Sequence, residues 1–136
     1  MHGPADELPN LGGRTVLIAE SNPLIALDLA ETIRVWGGQP LHLGDLTAAE
    51  QSEAPGQVCA ALVDMTQSHL QLAQLVDDLR RRKVPIVLTT AWQLDDIGDQ
   101  FPGMTIFEKP VNYAALADWF AEVARLGSSS QRCRQG

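Results

Sequence analysis

Four polar side chains stand at or just beyond the ends of short apolar runs, and their types complement one another. Glu20 follows Thr15–Ala19, Asp64 follows Val58–Val63, Thr90 follows Pro85–Thr89, and Lys109 lies just past Met104–Phe107. If those runs are neighbouring strands, two acids, a hydroxyl and a lysine converge on one cleft. A carboxylate at the end of a buried strand is costly unless it is paired or metal-bound. Two carboxylates from neighbouring strands make a small hard-oxygen site of the kind that suits Mg²⁺.

The elements that must position these groups are legible in the pattern. Four to six apolar residues bounded by turn signals suit a buried parallel strand, and the shorter Leu41–Leu43 supplies a fifth strand candidate. Asn22-Pro23 is a cap with proline at the first helical position. Ile25, Leu29, Ile33 and Trp36 then form a stripe at helical spacing that Gly37-Gly38 ends. A second stripe, Leu72, Val76 and Leu79, closes in Arg80, Arg81, Arg82 and Lys83. Those cations suit the negative end of a helix dipole better than an anion site. Asn112 caps a further helix with Leu116, Phe120 and Val123 facing inward and Gly127 just past its end. Thr47–Ser52 and Leu94–Phe101 are weaker helical candidates. Strands alternating with helices predict an α/β doubly wound parallel sheet with helices on both faces, whose ligand site lies at the carboxyl ends of the strands.

Composition narrows the function classes. The 136 residues carry 10 Lys+Arg against 17 Asp+Glu, a net charge of −7, which opposes a nucleic-acid footprint. No apolar run approaches the roughly 20 residues of a membrane span, and Met1–Gly13 lacks a signal-peptide pattern. A cytoplasmic location without membrane contact is the expectation. Cys59 and Cys133 are too few for a disulfide framework or a metal cluster. Residues 1–13 read as a flexible leader, 14–126 as the folded domain and 127–136 as a flexible tail.

The constellation, its order and its spacing resemble the receiver domain of bacterial two-component response regulators. Val-Leu-Ile-Ala-Glu-Ser-Asn-Pro-Leu-Ile is similar to the family's first strand, acidic pair and first helix. Ala-Leu-Val-Asp-Met resembles the strand of the phosphoacceptor aspartate, Val-Pro-Ile-Val-Leu-Thr-Thr-Ala the strand of the switch hydroxyl, and Phe-Glu-Lys-Pro-Val the final Lys-Pro. The resemblance spans about residues 14–126. It implies a flavodoxin-like five-stranded sheet of order 2-1-3-4-5, with Asp64 as phosphoacceptor, Lys109 as its partner and Thr90 as hydroxyl donor to the phosphoryl group. Ala91 would leave room for that group. It also implies Mg²⁺ held by Glu20, Asp64 and the carbonyl of Thr66. The implied partners are a histidine kinase or phosphotransfer protein and a downstream protein target. A homodimer would use the fourth helix, the fifth strand and the fifth helix, a face that could include Trp92 and Tyr113. No turnover enzyme is implied.

Three positions depart from the family pattern. Ser21 stands where a second acid is usual, so Mg²⁺ should bind weakly. The loop Met65-Thr66-Gln67-Ser68-His69 has no Gly, Pro or Asp and is short. Ile106 replaces the usual aromatic switch residue. All three point towards altered phosphorylation, and a degenerate receiver acting as a phosphorylation-independent interaction module is the alternative. The chain could be stand-alone or cut from a longer regulator. Plainer readings stand beside the sharper ones. Asp64 could be a strand-end acid satisfied by amides, Glu20 a structural partner of Lys109, Ser21 a helix cap, and His69 a solvated loop residue. Trp36 and Trp119 read as core. A flavodoxin-like binder or enzyme has no Gly-rich phosphate loop, nucleophile elbow or metal motif to support it.

Overall fold

The computed structural model describes residues 8–45, 58–65, 69–91 and 104–128. Strands β1 (Thr15–Ala19), β2 (Gln39–His42), β3 (Ala60–Asp64), β4 (Ile86–Thr90) and β5 (Thr105–Glu108) form one sheet. Every pairing is parallel and the order is β2-β1-β3-β4-β5, as expected from the sequence. Helices α1 (Pro23–Val35), α2 (His69–Arg81) and α3 (Tyr113–Ser128) are described, with a 3₁₀ turn at Leu43–Asp45. The helical candidates Thr47–Ser52 and Leu94–Phe101 lie outside the described residues.

Alternation along the strands divides the core in two, because successive side chains point to opposite faces. Val16 and Ile18 of β1 and Leu62 of β3 pack with Leu29 and Ile33 of α1, Trp36 just past it, and Leu116, Phe120 and Val123 of α3. Leu17, Ala19, Ala61 and Val63 pack on the other side with Leu72, Val76 and Leu79 of α2. With both faces covered, a strand must be apolar at every position, which is why the central strands read as unbroken runs. Trp36 is buried as expected and Cys59 is buried with it, whereas Trp119 is half-buried, edge-on to Phe120.

The ends of β3, β4 and β5 shift by one or two residues from the apolar runs, and larger departures occur at β2, the leader and the end of α3. β2 begins at Gln39 and includes Pro40, tolerable because β2 is an edge strand that need not donate on its outer side. Leu11, within the expected leader, is fully buried in the α1–α3 core, and its amide donates to the Trp36 carbonyl at 2.8 Å. Helix α3 runs through Gly127 instead of stopping before it.

At the end of α1, Gly37 has φ +81°, the left-handed conformation that favours glycine after a helix. Gly38 is required for a different reason. A β-carbon there would lie 2.7 Å from Leu11 Cδ1, 2.9 Å from Ile33 Cγ2 and 3.3 Å from the Arg14 carbonyl oxygen. Gly38→Ala is therefore expected to destabilise the protein by about 1–3 kcal/mol, the usual cost of overpacking, read as a lower urea midpoint.

Candidate active site

The carboxyl ends of β1, β3, β4 and β5 bring the sequence candidates to one place. Ala19 of β1 pairs with Val63 of β3, so Glu20 and Asp64 leave adjacent strands at the same level. Asp64 pairs with Thr89 and Thr90 pairs with Glu108, which brings Thr90 and Lys109 to the same rim. The Lys109 amide donates to the Thr90 carbonyl at 2.6 Å, extending the β4–β5 ladder by one step. The Lys109–Pro110 peptide is cis.

Lys109 ties the two acids together. Its Nζ lies 3.0 Å from Asp64 Oδ1 and 3.0 Å from Glu20 Oε1, and it donates to Glu20 Oε2 at 3.2 Å. The Asp64 side chain is 0% exposed, Glu20 2% and Lys109 14%. Burial of this kind demands pairing, since an isolated ion in a low-dielectric site carries a desolvation penalty of several kcal/mol. Glu20 Oε1 is buried in ion-pair contact but off the direction of any hydrogen-bond donor. Glu20 Oε2 also accepts the Asn22 backbone N–H at 3.0 Å, so the start of α1 orients this carboxylate.

Burial alone would pull the Lys109 ammonium towards neutrality. The hydrogen bonds to Asp64 and Glu20, with the charges of both, outweigh it and raise the pKa above 10.5. A raised folded-state pKa gives stability that is fully present below the unfolded value and lost as pH rises through the folded one. The ion pairs should therefore be intact at neutral pH. Denaturant titrations should show their contribution disappearing only above pH 10.5.

Ser21 does not act as a cap. Asn22 fills that role, its Oδ1 accepting from the amides of Leu24 at 2.9 Å and Ile25 at 3.4 Å. The Ser21 hydroxyl turns inward and donates to Asp64 Oδ2 at 2.8 Å. Both oxygens of Asp64 are thus engaged, one by the lysine and one by the serine. This contact joins residues 43 apart in sequence. The one clue to it in the sequence is the place of Ser21, where an acid of the resembled family would face the acceptor.

Tyr113, which the partner-binding face could include, is half-buried against the α1–α3 core, and its hydroxyl donates to Asp28 Oδ2 of α1. Desolvation, then the hydrogen bond and charge of Asp28, raise its pKa well above the ordinary phenol value. The reason is geometric: α1 and α3 lie on the same face of the sheet, so the first turn of α3 meets α1. Thr66 and Trp92 lie outside the described residues, as does the His69 side chain.

The donor chemistry can be set against a divalent cation. Two carboxylates and a hydroxyl are hard-oxygen donors, and the undirected Glu20 Oε1 could accept a cation. Glu20 and Asp64 bring two negative charges, and Lys109 offsets one. Among the described residues no cluster of three or more His, Cys, Asp or Glu side chains could hold a metal ion. The residues therefore fit Mg²⁺ in type, but with fewer charged ligands than a tight site uses.

No protein-family model matches the chain, and no curated protein matches it by sequence. Its structural neighbours are receiver domains. A response regulator receiver protein from Sinorhizobium medicae WSM419 superposes with TM-score 0.64 at 19% identity, covering 85% of this chain and 98% of that one. The receiver domain of the sensor histidine kinase PA1611 from Pseudomonas aeruginosa PAO1, with a magnesium ion coordinated in its active-site cleft, gives 0.66 at 24%, covering 83% and 98%. The response regulator PhyR from Brucella abortus gives 0.68 at 16%, covering 94% of this chain and 53% of PhyR. The chain has the flavodoxin-like receiver fold. Among the described residues no helix is long and apolar enough to cross a membrane.

Proposed function

We propose that this chain is a two-component receiver, stand-alone or part of a longer regulator, in which Asp64 accepts a phosphoryl group from a histidine kinase or phosphotransfer protein. The observation that carries this reading is the Glu20–Lys109–Asp64 bridge at the carboxyl rim of the sheet, with Asp64 buried where doubly wound folds place their ligands. Asp64 is the nucleophile: one of its oxygens attacks the phosphorus of a phosphohistidine, the P–N bond breaks, and the electron pair leaves on the imidazole nitrogen of the donor. Lys109 holds Asp64 in place and follows the developing charge onto a phosphoryl oxygen. Thr90, at the same rim, supplies a hydroxyl donor. Mg²⁺ held by Glu20, Asp64 and the Thr66 carbonyl would neutralise charge on the transferring group.

The reading includes a cytoplasmic location and signalling through protein contacts, with no catalytic turnover beyond self-phosphorylation from a phosphodonor. A downstream protein target, or a second copy bound through the surface around β5 and α3, would read the phosphorylated state. One observation favours a second reading. Ser21 both removes a metal-binding charge and occupies Asp64 Oδ2, as a phosphorylation-independent interaction module would allow. Intact-mass measurement after incubation with Mg²⁺ and acetyl phosphate separates the two. A stable single phosphoryl addition supports the phosphoacceptor, and its absence supports the module.

A further inference from the structure

The geometry points to Tyr113, acting through Asp28, as a positioning residue that holds the Lys109 ammonium against Glu20 and Asp64. The inference deepens the phosphoacceptor reading and rests on it for the effect on transfer. Glu20 and Lys109 belong to different strand-to-helix junctions, one between β1 and α1, the other between β5 and α3. Each junction is fixed to the helix that follows it. The Asn22 amide donates to Glu20 Oε2 at 3.0 Å while the Asn22 side chain caps α1. Four residues after Lys109, α3 opens at Tyr113 behind Asn112, whose Oδ1 accepts the Ala115 amide at 3.1 Å. The ion pair of Lys109 with Glu20, at 3.0 Å, joins the two junctions at the rim.

The Tyr113 hydroxyl joins them a second time, by donating to Asp28 Oδ2. Asp28 lies six residues past the Asn22 cap, about 9 Å along the α1 axis. The two contacts close a ring that runs from Glu20 through Lys109, Tyr113 and Asp28, and back along α1 to Asn22. With both made, the starts of α1 and α3 cannot shift against each other without breaking one. The two ties differ in stiffness. A lysine is a point charge on a flexible four-carbon stem, whereas a tyrosine ring turns on two torsions. The Tyr113 ring and the Val111 side chain are also packed against the α1–α3 core. The Lys109 amide bond to the Thr90 carbonyl holds its backbone towards β4, and the Tyr113 tie holds the same junction towards α1. Placement matters here, because a 1 Å displacement of a reacting group can cost about a hundredfold in rate. No bond is made or broken at Tyr113, and its proton stays on the phenol oxygen.

Tyr113→Phe keeps the packed ring and deletes the tie. Loss of one hydrogen bond of ordinary strength corresponds to about a fivefold change in an equilibrium. Labelling by acetyl phosphate at saturating Mg²⁺ should therefore be about fivefold slower in Tyr113→Phe. Asp28→Ala should match it, and Asp28→Asn, which keeps a carbonyl oxygen to accept the phenol, should label like the wild type. The Lys109 ε-methylene ¹³C resonance at neutral pH should move in Tyr113→Phe and Asp28→Ala, and stay in Asp28→Asn. This second readout needs neither metal nor phosphodonor. Gly38→Ala, overpacked at the far end of α1, controls for destabilisation alone: it should lower the urea midpoint and leave the Lys109 resonance in place.

An unmoved Lys109 resonance in Tyr113→Phe overturns the inference, as does an equal shift in Gly38→Ala. A moved resonance with undiminished labelling also overturns it, because the placement would then not matter to transfer. If the resonance moves but the wild type itself does not label, Tyr113 stands as the residue that positions Lys109, and it is the phosphoacceptor reading that falls.

Discussion

Replacing Lys109 by methionine should cost the fold about 3–5 kcal/mol, the range found when one partner of a buried ion pair is removed. The side chains of Asp64 and Glu20 are 0% and 2% exposed, and Lys109 is within 3.0 Å of both. Methionine matches the aliphatic stem but leaves two buried carboxylates facing each other without a cation. Ser21 and the Asn22 amide would still donate to them, yet neither donor carries charge. Urea denaturation at neutral pH measures the loss. Adding Glu20→Gln to Lys109→Met should recover part of it, because a neutral amide ends the repulsion. Full stability of the single variant would mean that the bridge is not the element holding this rim.

Asp64→Asn should reduce acetyl-phosphate labelling to background, a loss of more than a hundredfold, while the fold survives. The amide is nearly isosteric, so the packing of β3 against β1 and β4 is unchanged, and Lys109 retains Glu20. What disappears is the anionic oxygen that forms the bond to phosphorus, and no geometry compensates for a neutral amide as nucleophile. Intact mass reads the labelling, and a urea titration confirms the fold. Undiminished labelling of Asp64→Asn would place the acceptor on another side chain. The exposed carboxylates of α1 and α2 would be the first to test.

The two variants probe different links. Lys109→Met tests whether electrostatic pairing stabilises the rim, and Asp64→Asn tests whether the paired acid is chemically competent. A degenerate receiver would show the first effect without the second. That outcome would be consistent with the Ser21 contact, in which a neutral hydroxyl engages the Asp64 carboxylate.

The sheet order, the three described helices and the residue types at the strand ends are legible in the sequence. The reason is the doubly wound architecture: strands covered on both faces must be apolar throughout, so a run such as Ala60–Val63 announces its own limit in Asp64. Helix α1 was equally legible, since Asn22, Pro23 and Gly37 act on their immediate neighbours. Only the tertiary structure decided how the loop side chains beyond the strands are spent. Ser21 could cap a helix, bind a metal or face solvent, and its contact with a residue 43 positions away depends on strand register and rotamer together. Tyr113 reaches Asp28 across 85 positions because two helices share one face of the sheet. Leu11, preceded by turn residues, is buried because the end of α1 leaves a gap that it fills. Periodicity records which face a residue occupies within its own element. It carries no record of what the opposite element presents to it, and at this site that pairing sets which groups meet the Asp64 carboxylate.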